Sequence, residues 1–254
     1  AVLIRERRMY HIVIPARYSS TRLPAKALAD IHGKPLVYWV WRQALQSTAT
    51  SVTVATDDER IREALVDHGA DVMMTASTHP SGTDRLAEVA ANKGWGDDCI
   101  VVNLQGDEPL MPVVNLEQVA SLLAEHSGAS IATLCEAIGS IAEFNDPSVV
   151  KVVADQAGRA HYFSRAPIPH TRDSIVNQVP SDAKRHIGLY AYRVSFLKEF
   201  TRSPESPYER LESLEQLRAL YCGHEIRIAD ALEAVPPGVD TQVDLDAVRL
   251  MMAT

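Results

Sequence analysis

Through the first half of the chain, short apolar, β-branched runs alternate with amphipathic stretches, and that alternation leaves few ways to fold. Strands joined through helices lie parallel in one sheet, with the helices crossing over its faces. Residues 11–15 read as the first strand, 36–46 as a helix and 52–55 as the second strand. A helix follows over 58–68, with Ile61, Ala64 and Leu65 on one stripe and Asp57 placed to cap it. Residues 71–74 read as a short strand, 83–92 as a helix and 99–104 as a buried strand. The expected fold is a doubly wound, Rossmann-like α/β sheet. Such sheets bind ligands beyond the carboxyl ends of their strands, so chemistry is expected in the loops after Pro15 and Leu104.

From about Asp146 the rhythm changes. Residues 149–154 and 159–163 read as a hairpin turning at 155–158. A polar, Pro-containing stretch then covers 167–182, and a strand covers 186–193. These features predict a smaller lobe, 146–210, inserted between an α/β domain at 9–145 and its return at 211–254. In the return, 211–221 reads as a helix, a strand lies near Ile226, and a last helix covers 243–252. Residues 1–8 are a short extension with no assigned role.

The bulk properties narrow the classes. At 254 residues the chain can bury one sizeable core. A net charge of -8 argues against a nucleic-acid partner, which would need a surplus of Lys and Arg on some face. No apolar run approaches the roughly 20 residues that cross a bilayer, so no membrane span is expected. Cys99, Cys135 and Cys222 lack metal or CxxC spacing and read as reduced core thiols, which implies a cytoplasmic setting.

The densest chemistry lies in ARYSSTRLPAK, residues 16–26, directly after the first strand. Arg17, Arg22 and Lys26 stand there among the hydroxyls of Ser19, Ser20 and Thr21. Cations that offset phosphate charge, with hydroxyls and free amides for its oxygens, suit a triphosphate. The GxxxxGK[ST] spacing of a Walker loop is absent, and the composition also suits a solvated basic loop.

Four further segments carry candidates. In NLQGDEP, residues 103–109, Asp107 at the end of a buried strand and beside Gly106 can bind Mg²⁺ with substrate phosphates completing the octahedron; the same string is also a good turn. In PPGVDT, 236–241, Asp240 or Thr241 can cap the last helix. In HIGLYAY, 186–192, alternation puts His186, Gly188, Tyr190 and Tyr192 on one face, a floor suited to a sugar or simply a half-buried strand. In LESLEQL, 211–217, the leucines form a core stripe, with Glu215 and Gln216 near its edge.

Taken in order, ARYSSTRLPAK, SGTDRLAE, NLQGDEP, YFSRAPIP, RHIGLYAYR, LEQLR and GVDT resemble the 3-deoxy-manno-octulosonate (Kdo) cytidylyltransferases, or CMP-Kdo synthetases, across nearly the whole chain. The resemblance implies a Rossmann-like nucleotidyltransferase sheet with a smaller lobe that binds the sugar and forms a homodimer. It implies CTP and Kdo as substrates in lipopolysaccharide biosynthesis. It assigns Arg17, Ser19, Arg22, Lys26, Arg85 and Asp107 to the nucleotide. Gln105, Arg165, His186, Tyr190, Glu215 and Gln216 fall to the sugar, with Arg165 suited to its carboxylate. Asp107 and Asp240 fall to Mg²⁺, and catalysis to Lys26, Arg22, Asp107 and Asp240, with no general base assigned. A cytidylyltransferase for 8-amino-Kdo or a sialic acid is the nearest alternative, and a non-catalytic nucleotide-sugar binder the more distant one. One departure stands out: Pro24-Ala25-Lys26-Ala27 replaces the family's usual Pro-Gly-Lys-Pro, so Lys26 is expected at a somewhat different angle.

Overall fold

The computed structural model describes residues 9–20, 22–172 and 178–253. The expected extension 1–8, Thr21 of the basic loop and residues 173–177 of the polar stretch lie outside the described residues.

β1 (Tyr10–Ala16) is an interior strand of the sheet, and β2 (Asp30–Ile31) pairs with β3 (Lys34–Pro35) as a separate ribbon. α1 (Leu36–Ala44), β4 (Ser51–Thr56), α2 (Glu59–Val66), β5 (Asp71–Met74), α3 (Gly82–Asn92) and β6 (Ile100–Asn103) complete the expected alternation. The cap of α2 differs from expectation. Asp58, not Asp57, accepts the Arg60 amide at 3.0 Å, and Asp57 turns inward to an ion pair with Arg85.

Sequence pattern assigns nothing between 104 and 146, where the structure has α4 (Val113–Glu125), β7 (Ile131–Ala137) and α5 (Ile141–Asn145). β7 is a continuous buried run without alternation, which periodicity alone does not separate from helix. β8 (Lys151–Ala154) and β9 (Ala160–Ser164) form the expected hairpin. Its turn depends on Gly158, which has φ +76° and lies where a Cβ would sit 2.8 Å from the Ile228 carbonyl oxygen.

β10 (Lys184–Arg193) follows, then α6 (Val194–Phe200), α7 (Pro207–Glu212), α8 (Gln216–Tyr221), β11 (Ile226–Asp230) and α9 (Gln242–Met251). The single helix expected over 211–221 is broken into α7 and α8, because Ser213 adopts a left-handed conformation at φ 52°. A Ser206 capping box with Pro207 in the first turn starts the first piece earlier than the leucine pattern does.

Among the described residues the main sheet runs β11-β7-β10-β6-β1-β4-β5. β10 alone on this path is antiparallel to its neighbours β6 and β7. It also bears on the expected lobe. Tyr190–Arg193 pairs with β6, while Lys184 and Arg185 pair with β8, so one strand belongs to both the central sheet and the β8–β9 extension. Residues 146–210 are therefore joined to the α/β sheet along β10.

The alternation along each strand divides the core. Ile12, Ile14, Val54, Val102, Ile187, Leu189 and Ala191 pack with α1, α2 and α4 on one face. Val13, Ala55, Val101 and Tyr192 pack with α3, α6 and α8 on the other. Of the three expected core thiols, Cys135 is buried and Cys99 partly so, but Cys222 is exposed, because it follows the last turn of α8 at the surface.

Candidate active site

The loops after β1 and β6 meet at the carboxyl end of the sheet. A Cβ on Gly106 would lie 2.8 Å from the Pro15 carbonyl oxygen, so glycine is what permits this approach. The loop before α9 joins them through a main-chain bond in which the Val239 amide donates to the Asp107 carbonyl at 2.8 Å. That brace brings Asp107 and Asp240 together from distant parts of the chain.

Lys26 fills the space between them. Its Nζ donates to Asp107 Oδ2 at 2.5 Å and to Asp240 Oδ1 at 3.0 Å, and Arg22 meets the other Asp240 oxygen at 3.0 Å. Burial alone would lower the Lys26 pKa, but the two carboxylates raise it above the ordinary lysine value, so the ammonium stays charged. Ala25, which precedes it, has φ 55° and ψ 30°, so the left-handed turn that glycine usually supplies is made here by an alanine.

These groups line a cavity of about 470 Å³ together with Arg17, Ser19, Ser20, Gln105, Gly106 and Glu215. Pro80, Ser81 and Gly82 close another side. They bring the start of α3 to the cavity, where the helix dipole favours an anion. The sequence signal for this helix end is Ser81 followed three residues on by Asp84, and the Asp84 amide donates to Ser81 Oγ at 3.2 Å.

The sequence pattern does not single out Glu108. Its Oε2 is buried without a hydrogen-bond partner, and burial, reinforced by Asp107 and Asp240 and opposed by Lys26, pushes its pKa up to about 8. That environment favours its protonated form beside two carboxylates. The signal for it was its place next to Asp107, which a turn reading absorbs.

Of the expected nucleotide residues, Arg17, Ser19, Arg22, Lys26 and Asp107 line the cavity, and Asp240 joins them. Arg85 does not. It is fully buried behind the site, hydrogen-bonded to Thr75 and paired with Asp57 at 3.2 Å.

The expected sugar residues divide similarly. Gln105 and Glu215 line the cavity, whereas Arg165, His186, Tyr190 and Gln216 are not among its lining residues. Thr83 Oγ1 donates to Glu215 at 2.8 Å, and burial raises the pKa of that carboxyl. Arg165 donates to the main-chain oxygens of Glu212 at 2.6 Å, Pro147 at 3.0 Å and Ser213 at 3.4 Å. His186 bonds Thr133 through Nε2 at 2.9 Å, and burial lowers its pKa to about 3, so the ring is neutral at ordinary pH. His186, Tyr190 and Tyr192 follow one another along β10 with ring centroids 5.2 and 5.5 Å apart.

The chain as a whole is similar to known proteins. A cytidylyltransferase family model matches residues 11–226. The 3-deoxy-manno-octulosonate cytidylyltransferase of Psychrobacter cryohalolentis is 54% identical over 96% of this chain and 94% of its own length. The enzyme of the same name from Chromohalobacter salexigens is 54% identical over 95% and 96%. A solved structure of CMP:2-keto-3-deoxy-manno-octonic acid synthetase complexed with CTP is 44% identical, with a TM-score of 0.88 over 97% of this chain and 98% of that one. A phosphate-suited loop, two converging carboxylates and this extent of identity make the chain a member of the cytidylyltransferase family, within its 3-deoxy-manno-octulosonate cytidylyltransferases.

Proposed function

We propose that this protein transfers CMP from CTP to the anomeric C2 hydroxyl of Kdo, giving CMP-Kdo and pyrophosphate for lipopolysaccharide biosynthesis. The observation that carries the reading is the Lys26 ammonium held between Asp107 and Asp240 in a cavity walled by the Arg17-to-Lys26 loop.

In the reaction the C2 hydroxyl attacks the α-phosphorus, the bond to the bridging oxygen breaks, and pyrophosphate departs in line. Catalysis then rests on positioning and on charge placed where charge develops. Arg22 and Lys26 stand where the leaving pyrophosphate gathers negative charge, and the start of α3 and Arg17 hold the outer phosphates. Gln105 and Glu215 face the sugar from the same cavity. Arg165, His186, Tyr190 and Gln216 stand outside this lining and act on the sugar side through the segments they hold, and Arg85 braces Asp57 and Thr75 in the core.

The residues present fit a magnesium ion. Asp107 and Asp240 offer hard oxygen donors that already share one cation, and phosphate oxygens and water supply the other ligands such an ion takes. Bound there, Mg²⁺ would neutralise phosphate charge and lower the pKa of the attacking hydroxyl. The β8–β9 extension with the stretch up to residue 210 is the proposed sugar-binding and homodimer lobe. No helix among the described residues is long and apolar enough to cross a membrane, and the proposed setting is the cytoplasm.

The test is pyrophosphate release from CTP and Mg²⁺ with Kdo, 8-amino-Kdo and a sialic acid offered separately. Release with Kdo at the highest kcat/KM is expected. A higher value for another acid sugar replaces the substrate, and no release with any of them returns the chain to nucleotide-sugar binding.

A further inference from the structure

Lys151 opens β8 with its side chain wholly inside the protein. Its Nζ donates to three main-chain carbonyls: Asp146 at 2.8 Å, Val149 at 2.6 Å and Arg165 at 2.7 Å. Burial lowers its pKa, with Asp146 and Glu212 acting in the opposite sense. Three acceptors match the three N–H groups of an ammonium, whereas a neutral amine has only two and would leave one buried carbonyl without a donor. The cation is thus a three-way tie between the turn before β8 and the end of β9.

What is tied there leads to the cavity. Next to the carbonyl that Lys151 holds, the Arg165 amide donates to Glu212 Oε2 at 2.9 Å, and Ser164 Oγ donates to Glu212 Oε1 at 2.7 Å. Arg165 Nε donates to the Glu212 carbonyl at 2.6 Å. Glu212 ends α7, Ser213 makes the left-handed break, and two residues later Glu215 stands in the cavity wall. A continuous series of hydrogen bonds therefore runs from Lys151 to the segment that carries Glu215 and Gln216, and none of it involves the loop around Lys26.

We propose that Lys151 is a positioning residue for the acid-sugar side of the site. By gathering the 146–149 turn and the end of β9 on one nitrogen, it sets where Glu212 is held and so where Glu215 stands. The kinetic part of this inference rests on the cytidylyl-transfer reading, and a second readout does not.

The experiment compares wild type with Lys151→Met by hydrogen–deuterium exchange and by steady-state kinetics. Segment 212–216 should lose protection in the variant while the segments around Lys26 and Asp107 keep theirs. KM for Kdo should rise about tenfold, as expected for a loss near 1.4 kcal/mol, with KM for CTP unchanged. Should the Met variant fail to fold, Glu212→Gln, which leaves Lys151 seated and spoils one acceptor, must show the same split on a smaller scale. Unaltered protection at 212–216, protection lost evenly along the chain, or both KM values moving together in the folded variant overturns the inference. A wild type inactive with every acid sugar defeats the functional reading instead, and the exchange pattern then decides the role of Lys151.

Discussion

The two sides of the cavity are assembled by different physics. On the side proposed for the nucleotide, opposite charges meet directly: Arg22, Lys26, Asp107 and Asp240 form one linked cluster. Of the residues proposed for the sugar, Gln105 and Glu215 line the cavity, and the others are engaged elsewhere, Arg165 with carbonyls and His186 with Thr133 and its aromatic neighbours. Charges of both signs attract without a ligand, so a metal-and-phosphate site can stand ready before its ligand arrives. The cations Arg165 and Lys151 on the other side are held by main-chain carbonyls and not by carboxylates, so that side depends on those local supports.

The strongest way to break this comparison is to remove one carboxylate from the charged side. Asp107→Ala should reduce kcat for pyrophosphate release by about a hundredfold to a thousandfold, the scale seen when a fixed electrostatic group is lost from a reacting centre. Hydrogen–deuterium exchange along β10, which carries His186, Tyr190 and Tyr192, should be unchanged, since among the described residues no hydrogen bond joins that series to Asp107. Lost protection along β10 would mean that the two sides are one unit; near-normal turnover at saturating Mg²⁺ would remove Asp107 from the mechanism.

A second contrast is in pH. His186, with its pKa near 3, stays neutral through the working range, whereas Glu108, at about 8, titrates within it. In an unfolded chain Glu108 releases its proton near the ordinary value of about 4.3. Between there and about 8 the unfolded state binds fewer protons than the folded one, so this group makes stability fall as pH rises. Glu108→Gln should abolish that component, which is on the order of a few kcal/mol. The check is denaturant unfolding of both proteins from pH 5 to 9 in metal-free buffer without CTP. The variant's advantage should widen up to about pH 8, and a constant difference would show that Glu108 ionises normally.

How much of this was legible in the sequence follows the same division. The loop from Arg17 to Lys26 could be read because its cations are contiguous and follow a strand whose apolar run is unmistakable. The meeting of Asp107 and Asp240 could not be read from spacing, since they are joined by a main-chain bond between Val239 and Asp107; resemblance alone supplied it. Asp57 was misplaced because a helix start offers two adjacent acids and only tertiary structure shows that one of them answers the buried Arg85. The break at Ser213 was invisible because the leucine spacing continues through it, while Arg165 and Ser164 take hold of Glu212 from another part of the chain. Lys151, in a run of valines, gave no sign that a fully buried cation was needed there.

Ala25 offers the smallest and most local test of how the charged side is prepared. A left-handed alanine costs about 1–2 kcal/mol, and glycine would avoid that cost while regaining about 0.4–1 kcal/mol of disorder in the unfolded chain. Ala25→Gly should therefore stabilise the protein by up to about 1 kcal/mol, a rise of about 2–4 °C in Tm by calorimetry. If the strain also fixes Lys26 between its two carboxylates, the same variant will show a higher KM for CTP and an unaltered KM for Kdo, since Lys26 touches only the nucleotide side. A rise in Tm with both KM values unchanged would mean that the acids alone hold Lys26 in place. A fall in Tm would mean that the alanine methyl makes packing contacts worth more than the strain it brings.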